Sequence, residues 1–267
     1  MFDLSGKTAV VTGGLGILGR HFCRGLAEFG ANVAVVDLDE AGCHAFAQEL
    51  SGAYGVGAAG VACDVASPTA VRAMVSAVTD ALGPIHVLHN NAASKSTDLD
   101  AFFAPFEAYS LEAWRRIMAV NIDGMFLVAQ AIGAQMRRQG SGGSIVQTSS
   151  IYGIRASDKR IYESSLYLGR QISNPAVYST SKAAVCGLTR QLAADWADQG
   201  IRVNSLVPAG VESGQNEAFQ RRYASRVPLG RMARAAEMVG ALIFLASDAS
   251  SYVTGQEIVV DGGLSAW

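Results

Sequence analysis

Short apolar runs alternate with longer amphipathic stretches along the chain. The runs are rich in Val, Ile and Ala, which is typical of strands buried on both faces, and the stretches between them have helical length. The predicted strands cover residues 7–11, 32–36, 57–63, 85–89, 144–148, 201–206 and 257–260. Strands that alternate with helices predict an α/β fold with one doubly wound parallel sheet of about seven strands. We expect a single domain over residues 1–267.

The first strand leads directly into a glycine-rich turn and a helical stretch. Gly14, Gly16 and Gly19 have the G-x-G-x-x-G spacing, which lets a backbone turn tightly and approach a pyrophosphate at a helix start. The second strand ends in Asp37, where an acid can accept hydrogen bonds from an adenosine ribose and would repel the 2′-phosphate of NADP. A Rossmann-type site that prefers NAD to NADP is therefore predicted. The alternative is that Asp37 caps a helix that begins near Asp39.

Tyr178 and Lys182 give the strongest chemical signal in the sequence. They lie four residues apart in a predicted helix over residues 176–194, so both side chains are expected on one face. A nearby cation stabilises a phenolate, and we expect Lys182 to lower the pKa of Tyr178 and make it a usable general acid or base. Upstream, Ser149 and Ser150 end a predicted strand and could bind a substrate oxygen. A Tyr and a Lys at this spacing are also common on ordinary helices.

Composition narrows the class of protein. Half of the 267 residues are hydrophobic and the net charge is −2, which does not favour nucleic acid or an anionic membrane as a partner. We find no apolar run of the roughly 18 residues that span a bilayer and no signal peptide, so a cytoplasmic protein is expected. The cysteines and histidines show no metal-ligand spacing, which predicts free buried thiols and no catalytic metal. The cysteines are Cys23, Cys43, Cys63 and Cys186.

Taken together, these motifs resemble the short-chain dehydrogenase/reductase family over essentially the whole chain. The resemblance places the family's Asn-Ser-Tyr-Lys tetrad on Asn121, Ser150, Tyr178 and Lys182. It implies that the tyrosine transfers the proton, the serine holds the substrate oxygen, and the lysine binds the nicotinamide ribose and tunes the tyrosine. Asn121 would position a water in a proton relay. Because Asn is disfavoured inside an apolar helix, we also expect it to bond either a kinked backbone or a water.

The same resemblance implies a set of cofactor-binding residues. Asp64 and Val65 would flank the adenine, Asn91 would hold the end of the fourth strand, and Val211 would meet the carboxamide. The full predicted set is Gly13, Gly14, Gly16, Ile17, Leu18, Gly19, Asp37, Leu38, Asp64, Val65, Asn91, Ala92, Ala93, Tyr178, Lys182, Pro208, Gly210 and Val211.

This chain departs from the commonest family pattern at several cofactor positions. The family usually has glycine at the positions of Ile17, Ala93 and Ala209, and threonine at Ser213. Gly16 also lies one place earlier than the middle glycine of the common form, a spacing seen in other branches. We expect these departures to change the pyrophosphate geometry and to leave the dinucleotide site in place.

An insertion over residues 153–177 separates two members of the tetrad. Ser150 and Tyr178 are 28 positions apart, about twice the usual family separation, and Tyr152, Tyr162 and Tyr167 have no lysine four residues later. Because the insertion starts and ends at catalytic residues, we expect it at the mouth of the site. It would either form a wall of the substrate pocket or pack against a neighbouring subunit. Its expected apolar anchors are Ile154, Ile161, Tyr162, Leu166, Tyr167, Leu168 and Ile172.

The resemblance implies reversible hydride transfer between NAD and a secondary alcohol or ketone. Insertions of this kind resemble those of members associated with bacterial carbohydrate modification, so a polyol or sugar derivative is expected. Residues 212–227 resemble the family's mobile substrate loop, although the arginines there could also lie on a solvated helix face. A homo-oligomer is expected, as a tetramer or a dimer. The alternatives are an NAD-dependent epimerase or dehydratase and a non-catalytic dinucleotide-binding protein, against which the intact tetrad argues.

Overall fold

The computed structural model describes residues 1–96, 98–167 and 169–267, so the prediction for Leu168 lies outside the described residues. The strands are β1 (Thr8–Thr12), β2 (Asn32–Asp37), β3 (Ala58–Ala62), β4 (Val87–Asn90), β5 (Gly143–Thr148), β6 (Leu166–Tyr167), β7 (Arg170–Gln171), β8 (Ile201–Pro208) and β9 (Glu257–Val260). The α-helices are α1 (Ile17–Glu28), α2 (Glu40–Tyr54), α3 (Pro68–Leu82), α4 (Leu99–Phe102), α5 (Leu111–Met118), α6 (Met125–Gln139), α7 (Ile151–Ile154), α8 (Ala176–Trp196), α9 (Glu217–Ala224) and α10 (Val239–Ala246).

Seven strands form one parallel sheet in the order β3-β2-β1-β4-β5-β8-β9. The predicted fold class is confirmed, and most strand ends differ from the prediction by only a residue or two. The strand order reverses at β1 and β4, and in such sheets a ligand cleft opens at the carboxyl ends of the strands there. The hairpin β6–β7, which is antiparallel and separate from this sheet, lies within the insertion and was not predicted.

Apolar side chains cover both faces of the sheet. Val10 and Val11 are neighbours in β1, are both fully buried, and belong to different core clusters because successive strand residues point to opposite faces. Phe22 of α1 packs in the cluster on one face, and Ile132 of α6 packs in the cluster on the other. Burial on both faces explains why the strands read as continuous apolar runs.

A π-helical segment, Ala119–Gly124, joins α5 and α6 into one continuous helix, Leu111–Gln139. By length and composition this helix could cross a membrane, so the prediction that the chain has no such stretch is wrong. The buried share of its most apolar window is 44%, and Val128, Ile132 and Met136 pack in the core beside the sheet. A core helix passes the same test, so the finding is weak evidence for a membrane span.

The insertion packs on its own chain. Ile161 and Ile172 are buried in a small cluster with Phe219 and Tyr223 of α9. Helix α9 forms the middle of the predicted substrate loop, residues 212–227. We call these four residues the insertion–α9 cluster. Leu166, by contrast, is exposed, and its prediction as an apolar anchor is wrong.

Candidate active site

The glycine turn between β1 and α1 brings backbone atoms close together. Gly13 has a φ of 66°, in the left-handed region that favours glycine. A Cβ added at Gly19 would lie 2.0 Å from the carbonyl oxygen of Gly13, so the helix can pack this close only without a side chain there. Gly16 is the N-cap of α1 and has no side chain to cap the first amides, at Ile17 and Leu18. The turn therefore fits a pyrophosphate, which those amides would bind.

Asp37 lies at the end of β2 and faces this turn. Its Oδ2 accepts a hydrogen bond from the Leu15 amide at 3.0 Å and its Oδ1 from the Leu38 amide at 2.8 Å. The N-cap of α2 is Asp39, which accepts from the Gly42 amide at 3.1 Å, so Asp37 is not the helix cap. Each carboxylate oxygen can accept a second hydrogen bond, which leaves Asp37 able to bind ribose hydroxyls.

Thr12 ties the ends of β1 and β4 together beside the turn. Its Oγ1 accepts from the backbone amides of Asn91 at 2.9 Å and Ala92 at 3.1 Å. The Asn91 side chain donates in return to the Thr12 carbonyl at 3.1 Å. Asn91 thus holds the end of the fourth strand, as the resemblance implied, but the role of Thr12 was not predicted. Ala93, which follows, is exposed.

The remaining predicted cofactor residues lie at the ends of β3 and β8. Asp64 is exposed and accepts from the Ala66 amide at 3.0 Å, whereas Val65 is buried against Gly124. Pro208 ends β8, the Gly210 amide donates to the Tyr223 hydroxyl at 2.6 Å, and Val211 forms a β-bridge to Ala233. These positions share the carboxyl edge of the sheet with the glycine turn, as parallel strands require.

Ser150 and Tyr178 meet at one side of this edge. Ser150 is the N-cap of α7 and Tyr178 lies in the first turn of α8, and both side chains line one cavity. Burial raises the pKa of Tyr178, and the nearby Ser150 hydroxyl opposes that rise. The prediction that the pKa of Tyr178 is lowered by Lys182 is therefore wrong for this structure, because desolvation of the phenolate dominates.

Lys182 is almost fully buried one turn further along α8. Its Nζ donates to the carbonyl oxygen of Thr148, at the end of β5, at 2.8 Å. Burial lowers the pKa of Lys182 to about 8, since the ammonium is desolvated. The side chain is therefore still mostly charged at neutral pH. It can bind a ribose hydroxyl and supply positive charge near the reacting oxygen.

Asn121 lies in the π-helical segment and is fully buried. Its Oδ1 accepts from the Ser94 amide at 2.8 Å, and its Nδ2 donates to Ser181 Oγ at 3.4 Å. Ser181 Oγ in turn donates to the carbonyl of Tyr178 at 2.8 Å. Asn121 thus bonds the backbone of the loop after β4 from within an irregular helical segment, and π-segments of this kind are frequent at functional sites. Asn121 links the loop after β4 to the helix that carries Tyr178.

A cavity of about 210 Å³ opens beside Ser150 and Tyr178. Much of its wall is aromatic or apolar, and the insertion contributes one side of it. Sequence reasoning did not find most of these residues, because they come from separate segments and share no motif. The wall from the rest of the chain includes Lys95, Phe102, Phe103, Tyr152, Gln215, Phe219 and Tyr223. The insertion supplies Tyr167, Ile172, Ser173, Asn174 and Pro175.

The cysteines behave as predicted: all four are free and buried. Burial raises the pKa of each thiol, which makes a nucleophilic role at neutral pH unfavourable. Within residues 1–96, 98–167 and 169–267, no group of three or more His, Cys, Asp and Glu side chains is arranged to hold a metal ion.

Comparison with known proteins shows to which protein family this chain belongs. Residues 16–265 match the family model described as Enoyl-(Acyl carrier protein) reductase. D-threitol dehydrogenase of Mycolicibacterium smegmatis is 35% identical, over 98% of this chain and 94% of the relative. A short-chain type dehydrogenase/reductase from Mycobacterium marinum has a TM-score of 0.85 and 36% identity, covering 100% of this chain and 98% of that one. A gluconate 5-dehydrogenase from Burkholderia cenocepacia, in complex with NADP and tartrate, has a TM-score of 0.87 and 34% identity with the same coverage.

The chain therefore belongs to the short-chain dehydrogenase/reductase family. These relatives are named as dehydrogenases of threitol and of gluconate, and this protein is an NAD(P)-dependent oxidoreductase that transfers a hydride between the nicotinamide and a secondary alcohol or ketone. An epimerase, a dehydratase or a non-catalytic protein is not favoured. The comparisons do not choose between NAD and NADP, since one of these relatives was solved with NADP.

Proposed function

We propose that the protein oxidises one secondary hydroxyl of a small polyol or sugar derivative, with NAD as the preferred cofactor. The observation that carries the proposal is that Ser150 and Tyr178 share the wall of the 210 Å³ cavity, with Lys182 one turn further along α8. The relatives named for threitol and gluconate support an open-chain polyhydroxylated substrate.

In this proposal the site's own residues handle the proton and the oxygen. A substrate hydroxyl in the cavity would bind Ser150 and Tyr178, and the phenolate form of Tyr178 would accept its proton during oxidation. Ser150 would donate a hydrogen bond to the oxygen as negative charge develops. Bound NAD(P) supplies the hydride acceptor. Because burial raises the pKa of Tyr178, the neutral phenol dominates at neutral pH and suits proton donation in the reverse reaction.

The proposed preference for NAD rests on Asp37. Two backbone amides fix this carboxylate beside the glycine turn, where an adenosine ribose would lie. A 2′-phosphate at that ribose would bring a second negative charge close to the carboxylate, and like charges at short range repel. The ribose hydroxyls of NAD would instead donate to it.

The experiment is a panel of polyols and matched ketoses, with reduced-nicotinamide absorbance and product both measured. We expect a net absorbance change with at least one polyol, and expect Tyr178→Phe to lower that rate by ~10² to 10⁴-fold while NADH affinity stays nearly unchanged. Product without a net absorbance change would indicate an epimerase or dehydratase and would overturn the proposal. A Phe variant that keeps more than roughly a tenth of the wild-type rate would exclude Tyr178 as the acid and base.

We also infer that the protein is a homo-oligomer, a tetramer or a dimer. The surface beside the long helix exposes large apolar side chains that a monomer leaves in water. Leu111 is 60% exposed, Phe126 is 45% exposed, and Phe106, just before α5, is 73% exposed. Exposed apolar surface of this kind favours association with another copy.

A further inference from the structure

One charged residue, Lys95, is found among the described residues that line the active-site cavity. It follows β4 in the loop that also contributes the Ser94 amide to Asn121. Its Nζ lies 5.0 Å from the centre of the Tyr167 ring, which belongs to the insertion. The residue as a whole is exposed, but desolvation around its ammonium lowers the pKa of Lys95. The ammonium therefore lies at the cavity wall, beside the Tyr167 ring.

Three other cations near the cavity have acidic partners. Arg170 of the insertion binds both carboxylate oxygens of Asp100, at 2.7 and 2.6 Å. Arg160 and Arg226 both pair with Asp158, at 2.7 and 3.0 Å. These charges are neutralised outside the cavity wall and offer little to a substrate.

Lys95 has no such partner. Across residues 1–96, 98–167 and 169–267, no carboxylate lies within ion-pair distance of its Nζ. The described cavity wall contains no acidic residue either. A partly desolvated cation without a counter-charge is costly, and an anion that entered the cavity would relieve that cost. The face of Tyr167 gives only a weak substitute for such an anion.

We propose that Lys95 binds an anionic group of the substrate, so that the preferred substrate is a small hydroxy acid rather than a neutral polyol. This inference rests on the proposed function and narrows its substrate class. The cavity is smaller than the ~300–1,000 Å³ of pockets that hold drug-sized ligands, and this favours a carboxylate on a short chain over a bulkier phosphate ester. Lysine is a point charge and suits an anion bound through one oxygen.

The test compares matched pairs of substrate that differ at one end, where the acid has a carboxylate and the polyol a neutral hydroxymethyl group: threonate with threitol, and gluconate with glucitol. Glucitol 6-phosphate is the phosphate arm. We expect the wild type to have a higher kcat/KM for each acid than for its polyol. Lys95→Met keeps the length of the side chain but removes the charge, and should lower kcat/KM for the acid by about ten- to a hundredfold. It should change kcat/KM for the polyol by less than about twofold, and Lys95→Arg should keep most of the acid preference.

The matched control is Lys7→Met, which removes an exposed lysine just before β1, away from the cavity wall. It should leave the acid-to-polyol ratio unchanged. A wild type that uses a polyol as well as its acid, or a Lys95→Met variant that weakens both equally, would overturn the role of Lys95. A preference for glucitol 6-phosphate over gluconate would keep the anion site but refute the carboxylate.

A failure of the proposed function can be distinguished from a failure of the Lys95 proposal. If no acid and no polyol is turned over, the proposed function fails, and binding then decides the question of Lys95. Threonate is titrated into the wild-type protein saturated with NADH and its heat of binding measured. Binding that Lys95→Met weakens by about tenfold supports the anion site, and no binding, or equal binding by both proteins, refutes it.

Discussion

Replacing Gly19 with alanine tests whether the glycine turn depends on close backbone packing. The new Cβ would lie 2.0 Å from the Gly13 oxygen and 2.9 Å from the Gly14 carbonyl carbon, whereas ordinary contacts begin at 3.4 Å. Extra atoms in a packed site cost roughly 1–3 kcal/mol, and a deep overlap with rigid backbone belongs near the upper limit. Alanine regains at most about 1 kcal/mol through helix propensity. We therefore expect the free energy of unfolding to fall by about 2 kcal/mol.

The same substitution should weaken cofactor binding, because the start of α1 must move away from the turn. Charge-assisted hydrogen bonds, such as those from these amides to a pyrophosphate, contribute ~1.5–3 kcal/mol each. Loss of their geometry should therefore raise the dissociation constant of NADH by about tenfold or more. Urea unfolding and NADH titration measure the two effects separately. A Gly19→Ala variant with wild-type stability and wild-type NADH affinity would refute the packing argument.

Gly52 provides a matched control in another helix. It lies in α2, is exposed, and a Cβ added there would meet nothing within 4 Å. Gly52→Ala should raise the free energy of unfolding by ~0.4–1 kcal/mol and leave NADH affinity unchanged. If Gly52→Ala instead lowered stability as much as Gly19→Ala, general intolerance of alanine would explain both results.

The remaining predictions concern the cofactor, pH, the insertion and assembly. Replacing Asp37 with alanine should narrow the preference for NADH over NADPH in parallel titrations, and equal affinity in the wild type would contradict that preference. Ketone reduction needs a charged Lys182 and a protonated Tyr178, so its rate should fall as pH rises through about 8, where Lys182 loses its proton. A rate that stays constant up to alkaline pH would argue against a role for the charge of Lys182. Replacing residues 156–174 with a short Gly-Ser loop should keep NADH affinity and oligomeric mass but remove most activity, because this segment lines the cavity. Unchanged activity would mean that the segment does not shape the substrate site. Light scattering should give more than the monomer mass of 27.9 kDa.

Local patterns were enough to predict the sheet, the glycine turn and the spacing of Tyr178 and Lys182. Each of these depends on residues close together in the chain, where strand and helix periodicities apply directly. Helix α10 was not predicted, because its short run is apolar all round and such a run does not distinguish a helix from a strand. The hairpin β6–β7 was also missed, since strands of two residues carry no periodicity.

Properties that depend on burial could not be predicted from spacing. The four-residue interval correctly placed Tyr178 and Lys182 on one helix, but the pKa of Tyr178 depends on how much water the folded site excludes. In the structure that desolvation dominates over the expected effect of the lysine. Lys95 was overlooked for a related reason: its importance comes from the absence of acids in a wall assembled from separate segments.

The catalytic residues and the substrate wall are held by different parts of the molecule. Lys182 and Asn121 are buried between the sheet and its helices and bond to the backbone of that core. The wall depends on the insertion–α9 cluster and on ion pairs near the surface, such as Arg226 with Asp158, and such pairs contribute little to stability. Because that cluster is separate from the two core clusters on the sheet faces, we expect that Ile161, Ile172 or Phe219 can be exchanged without moving Tyr178 or the glycine turn. A substitution in the wall should therefore alter which alcohol is accepted while the hydride chemistry stays the same, and this separation lets one fold serve many substrates.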